Sequence, residues 1–149
     1  MKNQNVLSPK EYIRTKVRSL PLYASYINEN WKESGLAVVV VVRKHTVEKY
    51  TLGIYFVDLL ARGTHDTRFR FSIEKQDLEK LINKPSNKLI LIDYAIVHNI
   101  IYGANAFAED HGFKISRDFE LTSHLLEEDT EDVEFIDIEF GRNGKPFLK

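Results

Sequence analysis

The stretch LAVVVVVRKHTVEKYTLGIYFVDLL, residues 36–60, decides the fold of this chain. Two runs rich in β-branched and aromatic residues, 36–43 and 50–60, are joined by residues 44–49, of which all but Val47 are polar. Such runs form strands because their side chains suit a pleated, half-buried surface, and a short polar connection is typical of an antiparallel hairpin. The run of five valines has no polar alternation. It therefore predicts a strand that is buried on both faces at the centre of a sheet.

Further elements are predicted on both sides of this hairpin, from apolar residues at helical spacing or in strand-like alternation. They are a capped helix from Pro9 that Pro21 ends, strands 22–28 and 67–72, a helix 73–83, a strand 88–92, a long helix from a capping Asp93 to Gly112, a helical piece 118–126 and a strand 133–140. This order lacks the regular strand-helix alternation of a doubly wound fold. The sequence therefore predicts an α+β fold, with a mainly antiparallel sheet and helices packed on it.

Composition restricts the class of protein. The chain has 149 residues, of which 43% are hydrophobic, so we expect a single domain over residues 1–149 with residues 1–8 flexible. The sequence contains no cysteine, which excludes disulfides and thiolate chemistry and favours a reducing compartment. Residues 1–10 lack the apolar stretch of a signal peptide, and the longest apolar run, residues 36–42, is too short to span a bilayer. A cytoplasmic location without membrane association is expected.

Charge is distributed unevenly although the net charge is only −1. Residues 1–18 hold five basic residues against one acid, whereas residues 117–139 hold ten acids against one arginine. This asymmetry indicates either opposed binding faces or two solvated surfaces. Arg14 and Arg18, one turn apart on the first helix, are the candidate binding residues at the basic end. The acidic segment 127–132 has no apolar anchor and is predicted to be a mobile surface loop.

Asp58 is the most informative polar residue. No phosphate-binding loop, nucleophile elbow or zinc-protease motif is present. Strand alternation places Asp58 on the same face as apolar residues such as Phe56, where an unpaired carboxylate is costly. One interpretation is a metal ligand or general base at a strand end. The other is a carboxylate that caps the following loop or pairs with Arg62.

Two further acids extend the metal hypothesis. Asp137 and Glu139 fall on one face of the predicted last strand, and together with Asp58 they would supply the oxygen ligands that a divalent cation prefers. The alternative is that they are solvated acids that protect a strand edge from unwanted pairing.

The long helix carries a polar stripe. His98, Tyr102, Asn105 and Glu109 follow one another at spacings of four, three and four, so they share one face beside the apolar face. In one interpretation the stripe lines a cleft in which His98 is a catalytic acid or base and the other three residues bind a ligand. In the other interpretation it is the wet side of an amphipathic helix.

Four segments carry a resemblance to known sequences: VDL at 57–59, HNIIYGA at 98–104, AEDHGF at 108–113 and FGRNGKPF at 140–147. Over these segments the chain resembles a family of small cytosolic bacterial proteins of the Bacteroidetes type, for which no activity is established. The resemblance implies a bacterial source and assigns no catalytic residue. Where the family pattern has Cys-Leu-Gly-Val-Lys-Asp, this chain has ARGTHD at 61–66, so the cysteine and the lysine are missing.

Two functions follow from these observations. The first is a non-enzymatic module or accessory protein that binds another macromolecule, primarily a protein, with nucleic acid as a second kind of partner. The alternative is a metal-dependent hydrolase, such as a nuclease, that uses Asp58 with Asp137, Glu139 or His98. A cofactor, a divalent metal, is expected only under this alternative. Convergence of these groups within about 4–6 Å would favour the enzyme, and scattered groups would favour the module.

Overall fold

The core of the fold is an antiparallel meander to which one more strand is added. A computed structural model describes residues 6–148 of the chain. The strands are β1 (Leu22–Asn28), β2 (Leu36–Lys44), β3 (Tyr50–Asp58), β4 (Gly63–Ile73) and β5 (Leu89–Leu91). Every neighbouring pair is antiparallel, and the order across the sheet is β4-β3-β2-β1-β5. The predicted α+β class with a mainly antiparallel sheet is confirmed.

Helices cover both faces of this sheet. They are α1 (Pro9–Thr15), α2 (Trp31–Ser34), α3 (Lys75–Ile82), α4 (Tyr94–Asp110) and α5 (Phe119–Thr122), with 3₁₀ turns at Val17–Ser19 and Ser123–Leu125. Helix α4 lies across one face, where it contacts β1, β3 and β4, while the apolar residues of α3 pack on the other face. Among the described residues, no helix combines the length and the apolar character needed to cross a bilayer.

The valine run is buried as predicted. Val39 and Val41 face the core beneath α4, and Val40 and Val42 face the core beneath α3. All four side chains are buried, whereas Val38 is half-buried. Alternate residues of a strand point to opposite faces, so β2 contributes to both cores at once. This double burial explains why its sequence shows no polar alternation.

The two predicted helix caps have different outcomes. The Ser8 side-chain oxygen accepts a hydrogen bond from the Glu11 backbone N–H at 3.2 Å, so the first cap is confirmed. Asp93 occupies the cap position of α4, but its carboxylate makes no hydrogen bond to the helix, so the second predicted cap is wrong. Of the residues 1–8 that were predicted to be flexible, residues 1–5 lie outside the described part of the chain.

The predicted strand 133–140 is wrong. Among the described residues the segment forms no helix or strand and contacts α4 instead, although half-buried and exposed residues alternate from Ile136 to Phe140 as they do along an extended chain. The Asn99 side-chain amide donates to the Glu134 carbonyl at 2.9 Å, and the Phe140 ring lies over Gly103, where a β-carbon would come within 2.5 Å of its Cζ. Alternating apolar residues can be buried against a helix as well as within a sheet. The alternation therefore indicates an extended segment without indicating its neighbour.

A buried arginine joins the two ends of the chain. Arg43 on β2 is only 1% exposed. Its guanidinium donates to the carbonyls of Leu20 at 2.7 Å, Leu125 at 2.9 Å and Arg18 at 3.2 Å, and it pairs with the Glu127 carboxylate at 2.8 Å. A buried charge is tolerated only when it is paired and hydrogen-bonded, and this arrangement meets both conditions.

The acidic segment 127–132 is a surface loop, as predicted, with ionic contacts at its beginning that the sequence did not indicate. It begins directly after the buried residue Leu126. Three of its acids contact basic side chains: Glu127 pairs with Arg43, Glu128 with Arg18 at 3.7 Å and Asp129 with His98 at 3.1 Å. The prediction of a surface loop is confirmed, since residues 128–132 are exposed and form no helix or strand, but it considered only apolar anchors and missed these charged contacts.

A histidine connects α1 to the β2–β3 hairpin. His45 Nε2 lies 2.7 Å from the Thr51 hydroxyl, and the ring packs against Tyr12 and Phe71 with centroid separations of 5.6 and 5.9 Å. Burial lowers the pKa of His45 below its ordinary value of 6.5, because the charged form loses hydration.

We expect Arg43→Met to reduce the free energy of unfolding by about 1–3 kcal/mol, because the substitution leaves three backbone carbonyls and the half-exposed Glu127 carboxylate without their donor. Urea denaturation monitored by circular dichroism measures this change. The matched control is Arg70→Met, since Arg70 is exposed on β4 and should cost less than about 0.5 kcal/mol. Equal midpoints for the two variants would contradict the structural role of Arg43.

We expect His45 to make the fold less stable in acid. Its folded-state pKa is below its unfolded-state pKa, so the unfolded state binds more protons as the pH falls below about 6.5, and stability declines there. His45→Gln should therefore lose less stability than the parent between about pH 7 and pH 5. Thermal melts across this range test the difference, and His65→Gln, at an exposed position, should follow the parent. Identical pH profiles for the parent and His45→Gln would refute the assignment.

Candidate functional site

Asp58 is occupied by structural bonds. Its side chain is buried, and Oδ1 accepts from the backbone N–H groups of Leu60 at 2.9 Å and Ala61 at 3.3 Å. Oδ2 accepts from Arg62 Nε at 3.0 Å. These are the loop-capping and arginine-pairing contacts of the second interpretation. They hold the β3–β4 turn in shape and leave the carboxylate little capacity for a metal ion or a substrate proton.

The predicted metal ligands are not brought together. Within residues 6–148, no group of three or more histidine, aspartate or glutamate side chains is placed to hold a metal ion. Asp137 and Glu139 are exposed on the segment 133–140, and neither carboxylate forms an ion pair with a described residue. The hypothesis required residues 133–140 to be a strand in the sheet of Asp58, but this segment lies outside the sheet.

His98 is the centre of a buried hydrogen-bonded chain. It is 2% exposed, with Nδ1 2.7 Å from the Tyr94 hydroxyl and Nε2 3.1 Å from Asp129 Oδ1. The Tyr94 oxygen also accepts from the Glu127 backbone N–H at 2.8 Å, and the ring of Tyr102 packs on the imidazole at 4.7 Å. A carboxylate can only accept, so in a neutral His98 the proton assigned beside Asp129 is on Nε2. Nδ1 then accepts a hydrogen bond from the Tyr94 hydroxyl.

The hydrogen bonds of Tyr94, His98 and Asp129 suit the attachment of the acidic segment to α4 better than they suit catalysis. Burial raises the pKa of both Tyr94 and Tyr102, which disfavours a phenolate nucleophile or base. Both ring nitrogens of His98 are engaged with groups of the protein. The geometry therefore fits His98 as a link between α4 and the beginning of the acidic segment.

The rest of the predicted polar stripe is divided between core and solvent. Asn105 is buried, and its Oδ1 accepts from the Thr64 backbone N–H at 2.8 Å, whereas Glu109 is exposed. Asn105 Nδ2 and the Thr64 hydroxyl have no partner among the described residues. Gly63 permits the close approach, since its φ is +65° and a β-carbon there would be 3.0 Å from Asn105 Oδ1. The stripe is therefore not a wet face, because His98 and Asn105 are buried.

The arginines of α1 and its following turn contact the acidic half of the chain. Arg14 Nη2 lies 3.4 Å from Glu120 Oε1. Arg18 donates to the carbonyls of Leu126 at 2.7 Å and Ser123 at 3.0 Å. The basic and acidic ends are therefore not opposed faces, because part of each charge is neutralised where the two ends meet. The sequence could indicate the two charges, but not their contact.

A groove of about 530 Å³ lies between α2 and the C-terminal extended segment. This volume is within the usual range for ligand sites. The apolar lining comes from α2, the β3–β4 turn, α4 and the extended segment, and it consists of Trp31, Leu59, Leu60, Ile96, Ile136 and Ile138. Charged residues at the groove are Lys32, Glu33, Asp137, Glu139 and Arg142. None of the four residues of the polar stripe lines it.

Backbone hydrogen bonds attach the C-terminal wall of the groove to the β3–β4 turn. The N–H of Gly141 donates to the Leu59 carbonyl at 2.9 Å, and the N–H of Phe147 donates to the Leu60 carbonyl at 2.9 Å. The β3–β4 turn that Asp58 braces is thus also the support of the C-terminal segment. The sequence offered two signals for this site, the lone Trp31 and the alternation of 133–140, but neither indicated that they lie together.

Comparison of the chain with protein-family models, with curated proteins and with solved structures gives no match. The bacterial family resemblance of the sequence stays a prediction. A function is therefore argued from the residues of the chain themselves.

We expect Asp58→Ala to lower the free energy of unfolding by about 1–3 kcal/mol more than Asp66→Ala, because it leaves buried backbone donors of the turn without an acceptor. Asp66 is half-exposed and accepts from its neighbours Thr67 and Arg68. Paired thermal and urea melts measure the difference. Equal losses would show that the contacts of Asp58 do not brace the turn.

Proposed function

We propose that this chain is a non-enzymatic module that binds another protein through the groove between α2 and residues 136–142. The observation that carries the proposal is the composition of the groove, an apolar floor with charged residues at its edge. Protein interfaces commonly place apolar residues at their centre and polar residues at the rim. The extended segment that forms one wall also has its backbone unpaired with any described strand, which suits recognition of a polypeptide.

The surroundings of the candidate catalytic groups support this choice over the hydrolase. Asp58 and His98 are both buried and bonded to groups of the protein itself. The acids of the extended segment stand apart from them, without a third ligand among the described residues. A general acid or base has to reach the proton that it transfers, and neither buried group lines the groove.

The charge of the groove supports a protein over nucleic acid as the partner. Three acids and two cations line it, so phosphates would meet a net negative surface. The exposed arginines Arg68 and Arg70 lie on β4, away from the groove residues, and Arg68 is paired with Asp66 at 3.2 Å. A nucleic-acid partner would therefore require a different surface.

Site-specific photo-crosslinking tests the proposal. We expect a photoreactive amino acid at Asp137 or Glu139 to give conjugates of defined mass in native cells, because both side chains are exposed at the groove. The matched control is Glu79, an exposed acid on α3. Conjugates that protease digests and nuclease leaves intact support a protein partner. Absence of conjugates, equal yields from Glu79, or nuclease-sensitive conjugates would contradict it.

A further inference from the structure

The groove wall has an unused hydrogen-bonding edge. Residues 134–140 form no helix or strand, and within residues 6–148 none of their N–H groups donates a hydrogen bond and only the Glu134 carbonyl accepts one, from Asn99. Extended backbone with unpaired N–H and C=O groups is a template on which another strand can form. Strand addition of this kind obtains affinity from the backbone and specificity from alternate side chains.

The side chains of this segment alternate in a way that suits strand addition. Ile136, Ile138 and Phe140 are half-buried, whereas Asp137 and Glu139 are exposed. In a paired strand, residues directly opposite each other lie on the same face. A chain added here would place one set of its side chains beside the isoleucines and the apolar floor. Its other set would lie beside the two carboxylates.

The charge at the groove indicates which kind of polypeptide segment can bind there. Residues 118–141 contain no lysine or arginine, and the carboxylates of Asp137 and Glu139 have no ionic partner among the described residues. Each of the two cations at the groove lies over an aromatic ring of this chain, Arg142 at 3.8 Å from the Phe147 centroid and Lys32 at 5.6 Å from the Trp31 centroid, and the three acids of the groove outnumber them by one. A basic segment therefore complements this edge, and an acidic one would be repelled.

We infer that the groove binds an extended basic segment of a partner protein, which adds as a β-strand along residues 136–139. Apolar residues of the segment alternate with lysine or arginine. The apolar set packs toward the floor that includes Trp31 and Leu60, and the basic set faces Asp137 and Glu139. This inference rests on the proposed protein-binding function and names the chemistry of the occupant.

A designed peptide tests the inference directly. The probe is acetyl-Val-Lys-Val-Lys-Val-Lys-Val-amide, titrated into the ¹⁵N-labelled chain, with amide shifts and hydrogen exchange as readouts. We expect saturable binding, with shifts and slowed exchange at residues 136–139. Two further peptides are N-methylated at the valines or at the lysines, so that each loses the N–H donors along one edge of the extended peptide. One of the two should bind at least about tenfold more weakly than the other, because it lacks the donors that face the protein. The glutamate counterpart should not bind.

Variants separate the roles of charge and backbone. Asp137→Asn with Glu139→Gln should weaken binding of the lysine peptide and reduce the dependence of its affinity on salt, because the two carboxylates that would pair with the peptide's lysines lose their charge. The matched control, Asp77→Asn with Glu79→Gln on α3, should bind as the parent does. No saturable binding, equal binding by both N-methylated peptides, or shifts centred on the β4 edge would overturn the inference.

Failure of the inference is distinguishable from failure of the proposed function. Crosslinks from the groove positions to a protein, without peptide binding, would leave the module in place and remove the basic strand as its occupant. Crosslinks to a second copy of this chain, accompanied by a dimer in sedimentation, would also overturn the inference. Absence of both crosslinks and peptide binding would reject both proposals.

Discussion

The guanidinium of Arg43 is the constraint on which the rest of the structure depends. A charged group in the interior requires both counter-charge and hydrogen-bond acceptors, and β2 supplies neither. The acceptors come from the turn after α1 and from the end of the α5 region, and the counter-charge comes from Glu127. One side chain thus determines where the beginning and the end of the chain meet over the sheet. Two further ion pairs, Arg14 with Glu120 and Arg18 with Glu128, join the two ends.

The regular elements were accessible from sequence because their signals are local. The hairpin of β2 and β3 and the stripe of α4 are specified by residues within one element, whose period identifies it. Arg43 gave no such signal, because three of its acceptors are backbone carbonyls, which every residue carries. For 133–140 the period predicted a strand, and the described chain forms none there. The period does not indicate what the segment packs against, which is helix α4.

The candidate site was partly predictable. A carboxylate among apolar residues needs a partner, and the sequence named Arg62 among the partners of Asp58. The burial of His98 was not predictable, since it depends on Asp129 and Glu127, residues about thirty positions along the chain that cover it. The groove combines α2 with the segment that follows the acids, and only the tertiary fold brings these together.

The partners of Arg43 also set an order on the assembly of this protein. During synthesis β2 and β3 leave the ribosome long before Glu127, and local pairing of the hairpin can begin at once. At that stage Arg43 has been synthesised but its counter-charge Glu127 has not, and the carbonyl of Leu125 is 82 residues further along the chain. Until residues 125–127 are made, the guanidinium lacks its carboxylate and one of its three carbonyls, and only water can replace them. Strand pairing and burial of Arg43 are therefore separate requirements, and only the second needs residues from the C-terminal half of the chain.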